Sequence, residues 1–316
     1  MDDKIRIGIS TCLLGRDVRF DGGHKHDPFL TETLGEYVEY VPVCPEVECG
    51  LSIPREAMRL VGNPAAPRLL TIKTKVDHTD RMETWARRRL DELEHEGLCG
   101  FIFKSKSPSS GMERVKVYDD NGVPSKNGVG VFARMFMARF PLIPVEEEGR
   151  LHDPGLRENF IETIFALRRW CAARACERGL RCLVEFHTRE KLLLLAHSPV
   201  HYRALGKLVA GGTALPLDEL YEAYERDFVS ALRLRPTVRK HVNVLMHIMG
   251  YFKRDLSPDE KQELLEIIGL YKDGSAPLIV PVTLLNHYVR KYDQQYLRGQ
   301  TYLNPHPVAL KLRTHA

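Results

Sequence analysis

The sequence predicts an α/β domain with a mostly parallel, Rossmann-like sheet and crossover helices, followed by an all-α domain. Three observations carry this expectation. Short apolar runs alternate with helical patterns through the first half of the chain. Three of those runs open into loops rich in cysteine or serine, and beyond Leu183 only helical patterns remain.

Ile5, Ile7 and Ile9 alternate as a strand and lead into Thr11-Cys12-Leu13-Leu14-Gly15. Residues 28–37 predict a short helix, and residues 38–43 a strand that ends at Cys44-Pro45-Glu46. Residues 80–96 form a long amphipathic pattern, with Gly97 as its stop. The apolar run 100–103 enters Lys104-Ser105-Lys106-Ser107-Pro108-Ser109-Ser110-Gly111. Residues 114–118 alternate at period two, and Asp119-Asp120-Asn121-Gly122 punctuates them as a turn. A helix near 129–139 and a strand near 142–145 complete the alternation. This order makes the sheet mostly parallel, and parallel neighbours bring the three loops to one sheet edge, where open α/β folds place their ligands.

Residues 156–178 predict a helix that packs on the sheet or bridges to the next domain. Further helices follow at 189–196, 217–234, 238–252 and 282–298. Another starts at Ser257-Pro258-Asp259-Glu260, a capping box with proline at the first helical position, and ends near Asp273-Gly274. The expected division is an α/β domain over 1–165, a connecting helix over 166–182 and a basic helical domain over 183–316.

With 43% apolar and 28% charged residues, the 316-residue composition is that of a soluble globular protein, and no apolar run reaches the ~20 residues that span a bilayer. Met1-Asp2-Asp3-Lys4 is charged and runs straight into a strand, so no signal peptide is expected. Seven cysteines without a secretory signal predict reduced thiols and a cytoplasmic location. Residues 187–316 carry 18 Lys and Arg against 13 Asp and Glu, a net of +5, so the basic excess sits in the helical part. Such an excess permits contact with a phosphate backbone, and equally suits a well-solvated surface.

Cysteines on loops at a sheet edge suit a soft metal, zinc or an iron–sulfur cluster. Their spacing is not that of a zinc finger, since Cys44 and Cys49 lie five apart and no Cys-x-x-Cys pair occurs. Ligands taken one per loop need the fold to assemble them, as catalytic centres do. Taken singly, Cys12, Cys44 and Cys49 equally read as small buried residues. Cys99 reads as core, and packing is the default for Cys171, Cys176 and Cys182.

Ser10-Thr11-Cys12-Leu13-Leu14-Gly15 with Val18-Arg19-Phe20-Asp21-Gly22 resembles the first motif of the bacterial thiouracil desulfidases. The stretch from Val43-Cys44-Pro45-Glu46 to Ile53-Pro54-Arg55 resembles the second, and residues 104–111 the third. The resemblance spans about residues 3–150, with the motifs in the family's order. The basic helical portion, with Leu195-Ala196-His197-Ser198-Pro199, resembles the second domain of the two-domain members, which remove sulfur from 4-thiouridine in tRNA.

The resemblance implies a 4Fe-4S cluster held by three protein ligands with one iron open. Its ligands fall on Cys12, Cys44 and Ser110, where the family carries cysteine. A hydroxyl replaces a soft thiolate poorly on iron. The chain is then a Cys→Ser variant at 110, a natural member with a weak cluster, or one in which Cys49 substitutes. The resemblance further implies Glu46 as the base that activates water and Ser107 as a catalytic hydroxyl. The substrate is thiolated uracil, as a free base or within tRNA, with Arg239, Lys240, Lys253 and Arg254 as candidate tRNA contacts and the stripe Tyr288, Tyr292 and Tyr296 as either a stacking surface or helix core. Two other readings are a zinc-dependent hydrolase using Cys12, Cys44 and a water, and a non-catalytic tRNA-binding module.

Overall fold

The computed structural model describes residues 4–176 and 179–315, and it divides into two compact units, Met1–Asp153 and Pro154–Ala316. The N-terminal Met1-Asp2-Asp3 and the last two residues of the helix expected over 156–178 lie outside the described residues.

In the first unit, β1 (Ile5–Ser10) forms the middle of a four-stranded sheet. It pairs in parallel with β2 (Val38–Val43). A four-residue helix, α1 (Pro45–Glu48), follows β2 directly. Two short strands, β3 (Met58–Val61) and β4 (Arg68–Thr71), then form an antiparallel pair. The amphipathic helix α2 (Thr79–Glu94) buries Met82, Trp85, Ala86, Leu90 and Leu93 along one face. Gly97, at φ +62°, lies just beyond it.

Strand β5 (Gly100–Phe103) lies on the other side of β1, again in parallel. The two strands approach closely: a Cβ at Gly8 would lie 2.2 Å from the Phe101 ring, so only glycine fits there. β6 (Val115–Tyr118) is the expected strand, and beyond the expected turn β7 (Pro124–Gly128) pairs with it antiparallel. Helix α3 (Val131–Arg139) and strand β8 (Val145–Glu147) close the unit. The parallel sheet has the order β2-β1-β5-β8, and a second, mixed sheet has the order β4-β3-β6-β7.

Phe101 and Phe103 of β5 and Phe132 and Phe136 of α3 form one ring cluster, with Trp85 of α2 against Phe132 at 5.4 Å. Each such ring pair contributes ~1 kcal/mol beyond its buried area. The second sheet was not expected from sequence. Its edge strand Pro-Ser-Lys-Asn-Gly carries a proline and no apolar alternation, so only its partner β6 shows a strand pattern.

The second unit is helical throughout its described residues: α4 (Pro154–Ala175), α5 (Leu180–His197), α6 (Pro199–Ala210), α7 (Leu217–Leu232), α8 (Val238–Tyr251), α9 (Pro258–Lys272), α10 (Ile279–Lys291) and the short α11 (Gln295–Arg298). Trp170 of α4 is its centre, stacked on Tyr224 at 5.1 Å and packed against Phe186 and Phe228. The expected capping box forms, with Glu260 N–H on Ser257 Oγ and Ser257 N–H on Glu260 Oε2.

Three expectations are corrected. α5 starts nine residues before the predicted 189, because Leu183 and Phe186 bury where Cys182 and Glu185 obscure the pattern. α6 was missed, although Ser198 caps it by accepting the His201 N–H and Pro199 opens it. The predicted last helix over 282–298 breaks in two, with Asp293 at φ +46° between α10 and α11.

Candidate active site

The register of β1 with β2 and β5 brings the ends of three neighbouring parallel strands together. The loops that leave them line a single cavity of about 300 Å³. Cys12 stands in the 3-10 turn Thr11–Leu14 just after β1, closed by Gly15 at φ +82°. Cys44 is the residue before α1. Ser107, Ser109 and Ser110 come from the loop after β5. Thus Cys12, Cys44, Glu46, Ser107 and Ser110 are all brought to one cavity.

Glu46 is held on both oxygens. Arg55 donates Nε–H to Glu46 Oε2 at 2.9 Å, and its Nη2 bonds the same oxygen. The Ser109 hydroxyl donates to Glu46 Oε1 at 2.8 Å. Ser109 Oγ lies 2.9 Å from Ser107 Oγ, so a continuous hydrogen-bonded row joins Ser107, Ser109, Glu46 and Arg55. Both arginine nitrogens converge on one carboxylate oxygen in a charge-assisted contact, and Ser109 on the other oxygen completes the orientation of the group. Arg55 and Ser109 were not singled out from sequence. Arg55 ends the second motif, and its position nine residues past Glu46 was the available signal.

The third loop is clamped from both sides. Lys104 Nζ bonds Glu148 Oε1 at 2.5 Å, and Glu148 also accepts the Ser105 N–H at 2.7 Å. Next to it, Glu147 accepts the Met112 N–H at 2.9 Å. The first turn of α3 donates to the loop backbone: Gly130 N–H to Gly111 O at 2.8 Å, Val131 N–H to Pro108 O at 3.1 Å and Phe132 N–H to Ser109 O at 2.9 Å. A Cβ at Gly130 would lie 2.6 Å from the Ser109 carbonyl, so this close approach needs glycine.

Burial pushes the thiols of both Cys12 and Cys44 up to about 11. At Cys12, Lys104 and Arg19 pull the other way and the neighbouring Cys44 adds to the rise. Both are therefore protonated thiols at neutral pH until a metal displaces the proton.

A cluster anchored by three side chains calls for three soft donors. Here two thiols and one hydroxyl reach the cavity. Cys49 does not line it, and its Sγ instead donates to the Glu46 carbonyl at 3.3 Å. Among the described residues, no three of His, Cys, Asp and Glu converge to hold a metal ion. The donor set present therefore does not fit a three-cysteine cluster. It falls one sulfur short, at Ser110.

In the helical unit, Arg239, Lys253 and Arg254 are exposed, as are Arg233 and Arg235. Lys240 is half-buried, its Nζ bonding the His197 carbonyl at 2.5 Å. The tyrosine stripe is engaged internally: Tyr288 donates to Glu263, Tyr292 donates to Glu260, and Tyr296 stacks on Tyr251 at 5.1 Å. Cys171 and Cys176 are exposed, so packing does not explain them. No helix of the described residues is long and apolar enough to cross a membrane.

A family profile described as 2-thiouracil desulfurase matches residues 7–148, and a second, described as a protein of unknown function (DUF1722), matches residues 191–307. The chain is 38% identical to the uncharacterized protein YbgA of Escherichia coli strain K12, over 153 residues that make up 48% of this chain and 89% of YbgA. A solved structure titled 4Fe-4S-dependent thiouracil desulfidase TudS is similar at 28% identity and a TM-score of 0.40, covering 48% of this chain and 95% of that one. The chain thus joins a 2-thiouracil desulfurase domain, over residues 7–148, to a DUF1722 segment over residues 191–307, and is a relative of YbgA.

Proposed function

We propose that the cavity of the first unit is a desulfidase site that takes a thiolated uracil, best fitted by 4-thiouridine in tRNA, and yields uridine and hydrogen sulfide. The observation that carries this reading is the meeting of Cys12, Cys44 and Ser110 in one cavity with a carboxylate held by Arg55 and Ser109. With serine at 110, the present chain is a disarmed form whose 4Fe-4S position lacks its third thiolate.

Glu46 accepts a proton from the water that attacks the ring carbon bearing sulfur. Ser107, linked to Glu46 through Ser109, gives its hydroxyl to the charge that develops on the ring. The carbon–sulfur bond then breaks as Glu46 returns its proton to the departing sulfur, and the hydroxyl added to the ring carbon gives up its proton as the carbonyl forms, which completes hydrogen sulfide. The sum is thiouracil plus water giving uracil plus hydrogen sulfide, with no net redox change. Arg55 keeps the carboxylate aimed throughout.

The exposed arginines and lysines around α8 and its ends support the helical unit as the RNA-holding part. Reversing Arg239, Lys253 and Arg254 to glutamate should weaken tRNA binding at least about tenfold and flatten its salt dependence. For the chemistry, the Ser110→Cys protein is reconstituted anaerobically and given tRNA containing 4-thiouridine. Sulfide release that disappears in Glu46→Ala, with iron content unchanged, supports the assignment. Release that survives Glu46→Ala removes the proposed base.

A further inference from the structure

The second sheet of the first unit buries one face and leaves the other to solvent. Leu60, Leu69, Val115 and Val117 lie on the inner face and belong to the core. Side chains alternate along a strand, so Arg59 of β3 and Lys116 and Tyr118 of β6 stand on the outer face. The register lines these residues up. Leu60 pairs in parallel with Val117 and Val61 with Tyr118, which sets Arg59 level with Lys116. Lys116 in turn pairs with Lys126 of β7. One rung thus carries three cations on adjoining strands, within ~10 Å at the usual strand spacing of ~4.8 Å.

This row has no counter-charge. Among the described residues none of the three cations has a carboxylate partner, whereas Arg68 of β4 is paired with Asp77 at 2.8 Å. Like charges directly opposite each other destabilise a sheet. A lysine on an edge strand guards against edge-to-edge pairing, which accounts for Lys126 on β7. It does not account for Lys116 and Arg59, because β6 and β3 are the inner strands. Lys116 and Lys126 are exposed, and Arg59 is half-buried with its guanidinium 4.6 Å over the Tyr118 ring. The ring holds the arginine in the row and adds an aromatic surface beside it. A single small anion would neutralise only part of such a row, whereas a run of phosphates matches it from end to end. An open sheet face with cations and an aromatic ring has the chemistry of a nucleic-acid backbone contact.

We propose that the outer face of this sheet is an RNA contact in its own right, where Arg59, Lys116 and Lys126 hold neighbouring phosphates of the tRNA backbone. The proposal rests on the reading of tRNA as substrate and adds to it a contact on the first unit, separate from the cations around α8. It needs neither a cluster nor sulfur release, so the serine form of the protein tests it.

Binding of an unmodified tRNA transcript to the full-length protein is followed by fluorescence anisotropy over a series of salt concentrations. The variants are Lys116→Thr with Lys126→Thr, Lys116→Arg with Lys126→Arg, and the reversal of Arg239, Lys253 and Arg254 to glutamate. Threonine keeps the strand propensity. The threonine pair should weaken binding about tenfold at about 0.15 M salt and lower the slope of log affinity against log salt by about 1.4–1.8, since each phosphate contact contributes about 0.7–0.9. The arginine pair should keep affinity within about twofold. Should the threonine pair unfold, lysine acetylation of the unaltered protein decides, with tRNA slowing modification of Lys116 and Lys126 and not of the exposed Lys4. Unchanged affinity and slope in the threonine pair, with weaker binding after the α8 reversal, overturn the proposal and leave the tRNA reading standing. No binding of tRNA by the unaltered protein overturns both. Tighter binding of polyglutamate than of tRNA, lost in the threonine pair, assigns the face to an acidic protein and overturns the proposal too.

Discussion

The Ser109 hydroxyl donates to Glu46 Oε1 at 2.8 Å while Arg55 bonds Oε2, so the carboxylate of the second loop is locked to the third loop from one side and to its own exit from the other. Neither partner can be lost without freeing the rotation of Glu46. This relation ties the geometry of two loops to one side chain.

Arg55→Ala, made in the Ser110→Cys protein, should therefore lower kcat for sulfide release about 100-fold and leave KM within about threefold. Steady-state sulfide assays check it. An unchanged kcat would mean that Glu46 needs no clamp.

Gly130→Ala should destabilise the first unit by about 2 kcal/mol, because its Cβ would meet the Ser109 carbonyl at 2.6 Å and push the serine loop off α3. Chemical denaturation measures the loss. In the same protein, alkylation of Cys12 and Cys44 should be faster, since the loop covers the cavity that holds both.

The site was more legible in the sequence than its supports. Each of Cys12, Cys44 and Ser107–Ser110 follows a short apolar strand, and the parallel order of those strands puts their ends together. Arg55 and Ser109 escaped notice because what they do depends on how two loops face each other, which no local period reports. The second sheet escaped for a related reason: β3 and β4 have four residues each, and β7 is polar along the edge. In the helical unit, the capping box at Ser257 was readable from four residues, whereas the break at Asp293 leaves the apolar pattern of Leu285, Tyr288 and Val289 running on toward Leu297.

Lys104 and Glu148 are 17% and 13% exposed and bond each other as well as the loop backbone. Glu148→Ala removes the counter-charge of Lys104, which keeps only its bonds to Ser105, and strands the Ser105 N–H, so it should cost about 2–4 kcal/mol of stability in the first unit. Glu148→Gln keeps an acceptor for Ser105 and should cost less than half of that. Equal losses in the two variants would show that charge alone holds the loop.

Glu158 gives the second unit a pH dependence of known sign. Its carboxyl is pushed up from the ordinary 4.5 to about 7, so between those values the folded chain holds more proton than the unfolded chain. Stability therefore falls as pH rises from about 4.5 to 7, by at most about 3 kcal/mol. Glu158→Gln should flatten that slope. Glu162, shifted the other way, contributes stability that is lost only below the ordinary carboxylate range. Thermal unfolding between pH 4.5 and 8 separates the two.

The identity of residue 110 decides the chemistry of the first unit. The purified chain and its Ser110→Cys form, reconstituted anaerobically side by side, are analysed for iron, acid-labile sulfide and hydrogen sulfide released from 4-thiouridine tRNA. The cysteine form should hold about four iron and four sulfide per chain and release sulfide, while the serine form holds fewer and releases at least about 100-fold less. Equal iron and equal release from the two proteins, or a full cluster in the cysteine form with no sulfide released, would contradict it.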